Sequence, residues 1–207
     1  TLITSSAASD VYKRQIRDYA DDKHKTVDDT VFGGGSGMLM KPDIVANSLD
    51  KNISKGEKIF YLSPKGKKFN QSFANSLSKQ NGINLICGHF EGVDDRLLST
   101  RNIEEISIGD YVLSGGETAA FVILDAVLRL IPGVLGNKDS IKDETFENSL
   151  LEYPQFTKPK IWEGKSVPDV LFSGDHAKIK SWRLSQSEDI TRRQRPDLWE
   201  KYLKDKK

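Results

Sequence analysis

The order of apolar and turn-forming stretches predicts an α/β fold. Three buried β-type runs, Lys58–Leu62, Ile83–Cys87 and Ile106–Ile108, are interleaved with helical patterns. The three runs end in small or turn-forming residues: Ser63-Pro64, Gly88 and Gly109. Open α/β sheets bind ligands beyond the carboxyl ends of their strands, so these ends mark a candidate ligand site.

Taken in order, residues 1–15, TLITSSAASDVYKRQ, fit nothing that follows. They have no starting Met, no basic region ahead of an apolar one and no signal-length apolar stretch. They read as a non-native segment that leaves the fold without its opening strand. Residues 17–31 are polar and read as loop. Gly33-Gly34-Gly35-Ser36-Gly37 matches neither the dinucleotide nor the Walker A glycine pattern. The ordinary role of such a loop is to supply turns with positive φ. A short helix follows at Pro42–Leu49, then a loop at Ser54–Glu57. After the first strand, Phe69–Lys79 carries a helical pattern with Phe73 and Leu77 on one face. Asn81-Gly82 is a turn into the second strand. That strand leads to Glu91-Gly92-Val93-Asp94.

The stretch from Ile106 to Gly136, ISIGDYVLSGGETAAFVILDAVLRLIPGVLG, organises the chain. It turns at Gly109, extends again through Tyr111–Leu113 and enters a helix at Glu117 after Gly115-Gly116. The helix is apolar nearly all round, which predicts burial. Yet Glu117, Phe121, Asp125 and Arg129 recur every fourth residue and share one face. Asp125 and Arg129 then form either an ordinary i,i+4 pair, worth about 0.3–0.5 kcal/mol, or part of a charged stripe facing a polar site or subunit interface. Spacing leaves both open.

Asn137 to Asn148 is polar, and Pro154, Pro159 and Pro168 punctuate an extended connection with a loop at Glu163-Gly164-Lys165. Ser173 or Asp175 caps a helix over Ala177–Leu184. A second short helical piece follows Pro196. There are no internal repeats.

At 207 residues with a mean hydropathy of -0.51, the composition is that of a globular chain able to bury a sizeable core. The longest apolar stretch, near 118–135, is broken by Asp125 and Arg129, which argues against a membrane span. Cys87 is the only cysteine, which excludes an internal disulfide and fits a cytoplasmic location. His24, His89 and His176 are far apart, so no metal site is read. From Ala177 to Lys207 there are ten Lys or Arg against five Asp or Glu, a surplus of five. With a net charge of +1, the rest carries −4. A basic end on a mildly acidic body points to an anionic partner.

SIGDYVLSGGE followed by LIPGVLG resembles the bacterial tRNA (guanine-N1)-methyltransferases of the SPOUT class. KTVDDTVFGGGSGMLMKP, YLSPKGKKFNQ, ICGHFEGVDDR, LLEYPQFTKP and SGDHAKIKSWRLSQS match the same family in order, from about Arg17 to Trp199. The resemblance implies a SPOUT-type sheet with a deep trefoil knot and a small helical C-terminal domain. Its implied domains are a knotted catalytic domain over residues 16–160, a linker over 161–176 and a basic tRNA-binding domain over 177–207. Residues 173–176 belong to the linker that orders over the site on binding. Knots are rare, and no periodicity predicts one.

The implied methyl donor is S-adenosylmethionine, with Mg²⁺ suggested as an assisting ion. Carried over by motif, its contacts are Tyr61, Leu62, Gly88, Glu91, Ile108, Gly109, Asp110, Tyr111, Val112, Leu113, Gly115 and Gly116. The Gly-rich loop lies by the target nucleotide's pocket in this family. Methylating N1 of guanine requires loss of its proton, so a carboxylate base is needed, with a cation or N–H donors for the charge on O6. Counting from Gly136, the base position falls on Glu144, with Asp143 as the alternative, a departure from the family's usual aspartate. Arg129 matches an arginine that orients the guanine. Lys178, Lys180, Arg183, Arg192, Arg193 and Arg195 are the phosphate candidates. The family works as a homodimer with the active site at the subunit interface, which accounts for a charged stripe on an apolar helix. The activity implied is transfer to the guanine immediately 3′ of the anticodon, maintaining the reading frame. Its rivals are a SPOUT ribose 2′-O-methyltransferase, which needs no base for a ring nitrogen, and a non-catalytic RNA-binding module.

Overall fold

The computed structural model describes residues 2–6, 11–54, 56–132, 134, 146 and 149–206. Two compact units divide the chain, residues 1–135 and residues 136–207.

The first unit is built on a five-stranded sheet. Its strands are β1 (Leu2–Ser6), β2 (Val11–Arg14), β5 (Ile59–Lys68), β6 (Gly82–Ile86) and β7 (Glu104–Ser107). The order across the sheet is β2-β1-β6-β5-β7. β5 runs parallel to both β6 and β7, the arrangement that interleaved helices require. A separate hairpin pairs β3 (Asp28–Thr30) with β4 (Met38–Met40). The helices are α1 (Pro42–Asn52), α2 (Gln71–Ser78), α3 (Asp95–Thr100) and α4 (Gly116–Leu128).

Side chains of a strand alternate between faces, and the core divides accordingly. Phe60, Leu62, Ile83 and Leu85 pack with Ala74 and Leu77 of α2 and with Ala120, Ile123 and Leu124 of α4. Tyr61 and Ile86 face the other way, towards Ile44, Val45 and Leu49 of α1 and Leu97 of α3. Helices thus cover both faces of the parallel strands, the layering the sequence predicts. Asn70 caps α2 by accepting from the Phe73 N–H at 2.9 Å, and Pro42 opens α1 at a position that needs no donor.

Several expectations are corrected. The sheet does have an opening strand, because Leu2–Ser6 pairs antiparallel with β6 along its length. Residues 28–30 form a short strand rather than loop, held by hairpin pairing with β4 that their polar composition does not announce. Tyr111–Leu113 forms no strand, and Val112 is 85% exposed. α4 is not buried all round: Phe121 and Val122 are 67% and 47% exposed in the single chain. β5 runs on past Pro64. It leaves β7 at Leu62 and rejoins it at Lys67, both paired with Ile106, so that residues 63–66 bulge outward.

The second unit contains a small hairpin of β8 (Ile161–Trp162) and β9 (Lys165–Ser166), then α5 (His176–Gln194) and α6 (Pro196–Asp205). Asp175 caps α5, accepting from the Ala177 and Lys178 N–H groups at 3.1 Å each. α5 outruns its expected end at Leu184 by ten residues, since no Gly or Pro breaks it before Pro196. Thr191 is fully buried; its hydroxyl donates to the Ser187 carbonyl at 2.6 Å and accepts from the Leu151 N–H at 2.8 Å. Tyr202 donates to Glu188 at 2.6 Å. These ties group residues 149–151 with the helices, whereas the division read from the sequence places them with the catalytic domain.

Candidate active site

The bulge of β5 and the carboxyl ends of β6 and β7 open into one cavity of about 500 Å³. That is within the range of small-molecule and cofactor sites. Its walls come from several segments, among them Leu39 of β4 and Asp95 and Leu98 of α3. Tyr61 and Leu62 enter from β5, with Pro64 and Lys65 from the bulge. Gly88, His89, Phe90, Glu91 and Gly92 follow β6, and Ile108, Gly109, Tyr111, Val112 and Leu113 follow β7. Gly115 and Gly116 close it at the start of α4. Eleven of the twelve residues expected at the cofactor line this cavity; Asp110 does not. Asp110 instead faces outward and meets Lys68 at 3.5 Å.

Local hydrogen bonds fix the walls. The Gly116 N–H donates to the Gly88 carbonyl at 3.0 Å, pinning α4 to the end of β6. That approach needs glycine, since a Cβ on Gly116 would lie 2.7 Å from the Cys87 Cα. Ser107 donates to the Gly109 carbonyl at 3.0 Å and accepts from the Gly109 N–H at 3.2 Å, holding the turn after β7. His89 Nε2 lies 2.9 Å from Glu117 Oε1 at the start of α4. The foremost member of the charged stripe therefore meets the cavity wall.

The Gly-rich loop joins the site through its last residue. Gly37 has φ +102° and packs so closely that a Cβ would lie 2.6 Å from the Glu91 carboxylate. The Glu91 N–H donates to the Met38 carbonyl at 2.9 Å, and the Met40 N–H to the Gly92 carbonyl at 2.9 Å. At Gly33, Gly34 and Gly35 an added Cβ would meet nothing within 4 Å, and all three have positive φ.

Burial, and secondarily the charge of Glu105, raises the Tyr61 phenol above its ordinary value, so its hydroxyl stays neutral. Cys87 is fully buried beneath the cavity floor, and burial pushes its thiol up to about 12. It behaves as a small apolar side chain and not as a nucleophile. Among the described residues no group of three or more His, Cys, Asp or Glu side chains could hold a metal ion. No described helix is long and apolar enough to cross a membrane.

Arg129 ends α4, its N–H donating to the Asp125 carbonyl at 3.3 Å. It lies roughly 20 Å along the helix from Gly116, at 1.5 Å per residue. One chain therefore does not bring Arg129 to this cavity. Asp143 and Glu144 lie outside the described residues. In the second unit Lys178 pairs with Asp175 at 3.1 Å, Arg192 stacks over Trp199 at 4.7 Å and Arg183 over Tyr153 at 4.8 Å. Arg193 donates to the Asp189 carbonyl at 3.3 Å, and Arg195 is bidentate to Asp197 at 2.8 and 2.6 Å. Lys180 is exposed. At about 100° per residue these cations are spread around α5 and form no single stripe.

The family model described as tRNA (Guanine-1)-methyltransferase TrmD matches residues 3–201. The chain belongs to this family. Among its curated relatives, the tRNA (guanine-N(1)-)-methyltransferase of Pelagibacter ubique (strain HTCC1062) is 75% identical over 189 residues, covering 91% of this chain and 83% of the relative. Those of Brucella canis (strain ATCC 23365 / NCTC 10854 / RM-666) and Brucella ovis (strain ATCC 25840 / 63/290 / NCTC 10512) are 54% and 53% identical over 193 residues. Each match covers 93% of this chain and 79% or 80% of the relative.

Motif resemblance named eleven of the residues that line the cavity and passed over others, Pro64, Lys65, His89, Phe90 and Gly92 among them. A signal for them was present: all five adjoin predicted strand ends, where open α/β sheets place their ligands.

Proposed function

We propose that the protein methylates N1 of the guanine immediately 3′ of the anticodon in tRNA, with S-adenosylmethionine as donor, and so maintains the reading frame. The observation that carries this reading is one cavity, at the strand ends, lined by the residues that the family motifs select. The cavity fits the donor. Its floor is backbone at Gly88, Gly109, Gly115 and Gly116, where N–H and C=O groups can meet an adenine edge, and Ile108, Val112 and Leu113 give apolar walls. Glu91 supplies a carboxylate for hydroxyl or ammonium groups. Bound there, the cofactor supplies an electrophilic methyl on a sulfonium.

The protein's part is to hold the base and manage one proton. N1 of guanine is protonated at neutral pH, so its proton must leave as N1 attacks, and charge gathers on O6. Glu144 takes that proton, with Asp143 as the alternative, and Arg129 offsets the charge on O6. The active form is a homodimer, each site combining groups from two subunits. The exposed Phe121 and Val122 on α4 support this, as does the placing of Arg129 far from its own chain's cavity. The sheet is of the SPOUT type with a deep trefoil knot; the parallel pairing of β5 with β6 and β7 agrees with the sheet.

Residues 16–160 are the catalytic domain, 161–176 the linker and 177–207 the tRNA-binding domain. There Lys178, Lys180, Arg183, Arg192, Arg193 and Arg195 meet phosphates. For Arg195 that contact competes with the Asp197 pair. Mg²⁺ assists, and the enzyme is cytoplasmic.

The test is methyl transfer from labelled S-adenosylmethionine to an unmodified tRNA with G after the anticodon, against a matched tRNA with A there. Label confined to the G substrate and recovered as N1-methylguanosine is expected. Label on the control, or on a ribose, overturns the reading.

A further inference from the structure

Within the helical unit there is a second cleft, of about 540 Å³, that shares no lining residue with the strand-end cavity. Four aromatic rings line it: Tyr153, Phe156, Phe172 and Trp182. Phe156 and Phe172 are 48% and 55% exposed, an uncommon placement for two rings on one wall. Phe156 and Trp182 form a tilted aromatic pair, 6.3 Å apart between centroids at 48°. Cations border the rings. Lys160 Nζ lies 4.5 Å over the Phe172 ring, Arg183 stacks on Tyr153, and Lys158 lines the same wall. The only ion pair formed by these three among the described residues is Lys160 with Asp169, at 3.8 Å and with the Asp169 side chain 96% exposed. Such a pair is weak and readily exchanged.

Aromatic faces that accept any flat π system, bordered by cations, are the chemistry of single-stranded nucleic-acid binding. We propose that this cleft takes an unstacked nucleobase of the tRNA, other than the one methylated, with Lys158, Lys160 and Arg183 on the adjoining phosphates. The inference rests on the tRNA reading above. Among the described residues, no carboxylate lines the cleft to receive an N1 proton. A sulfonium cofactor does not suit the cleft, since the cations repel it.

The test compares wild-type protein with Trp182→Ala, Trp182→Phe and Lys160→Gln, each with its thermal midpoint measured. Steady-state kinetics use the full tRNA, and filter binding uses an anticodon stem-loop with saturating S-adenosylhomocysteine. Loss of one stacked base corresponds to about 5- to 150-fold in affinity. Trp182→Ala is expected to raise KM for tRNA about tenfold with kcat within about twofold, and Trp182→Phe to restore most of it. The salt dependence of stem-loop binding should be unchanged in Trp182→Ala and shallower by about 0.7 in Lys160→Gln. Unchanged KM in folded Trp182→Ala overturns the proposal. So does a fall in kcat at constant KM, or equal loss of binding and thermal midpoint in the Phe and Ala variants. If wild type transfers no methyl, stem-loop binding still decides: a Trp182→Ala loss rescued by Phe supports the cleft although the catalytic reading has failed.

Discussion

Replacing Gly116 by Ala tests the joint between α4 and the end of β6. The added Cβ lies 2.7 Å from the Cys87 Cα and 3.1 Å from both the Cys87 Cβ and the Gly88 nitrogen. Ordinary contact begins at 3.4 Å, so the overlap with the Cys87 backbone is about 0.7 Å. No flexible side-chain end is there to move aside. The start of α4 must retreat, stretching the 3.0 Å bond from the Gly116 N–H to the Gly88 carbonyl. Overpacking of this kind costs about 1–3 kcal/mol. In a chain of this size each kcal/mol lowers the thermal midpoint by about 2–4 °C. Because Gly88, Gly115 and Gly116 all line the cavity, affinity for S-adenosylhomocysteine should fall about tenfold in calorimetric titration. Gly164→Ala is the control: its Cβ meets nothing within 4 Å, so only backbone strain at φ +74° remains. Wild-type affinity and thermal midpoint in Gly116→Ala would refute the claim that this close approach shapes the cofactor site.

Four further outcomes are expected. Glu144→Gln should lower kcat by about 10²–10⁴-fold with cofactor binding intact, and Asp143→Asn much less; the reverse order moves the base to Asp143. Phe121→Lys, on the exposed face of α4, should shift the protein to monomer in analytical ultracentrifugation and abolish turnover, and an active dimer would remove α4 from the interface. Tyr202 donates to Glu188, and with Lys206 beside it this holds the Glu188 carboxyl below its ordinary value of 4.5. A lowered carboxylate stabilises the fold above the unfolded value and loses that stabilisation as pH falls through the folded one. The midpoint difference between wild type and Glu188→Gln should therefore be full near neutrality and shrink only below about pH 4.5; a constant difference would count against it. Cys87, with its thiol at about 12, should resist alkylation at about pH 8 until the protein unfolds; rapid labelling of the native chain would contradict its burial.

Sequence by itself determined the three strands, because each is an apolar run closed by a turn, and the two-sided core, because alternation along Phe60, Tyr61 and Leu62 sends neighbours to opposite faces. It also determined the family, since several spaced motifs in one order carry far more information than any single glycine cluster. Tertiary structure alone decided the rest. Met38–Met40 recruits the polar Asp28–Thr30 into a hairpin, and Leu2–Ser6 lies beside β6, a partner distant in sequence. Whether α4 is buried all round depends on what packs against it, and periodicity cannot show that Phe121 lacks cover within one chain. The bulge after Leu62 needs β7 as its template. His89 meets Glu117 only because α4 starts where β6 ends, and the aromatic cleft forms only when residues 153–160 fold against Trp182. Local pattern fixes what each segment is; long-range packing fixes which segments meet, and sites are made where they meet.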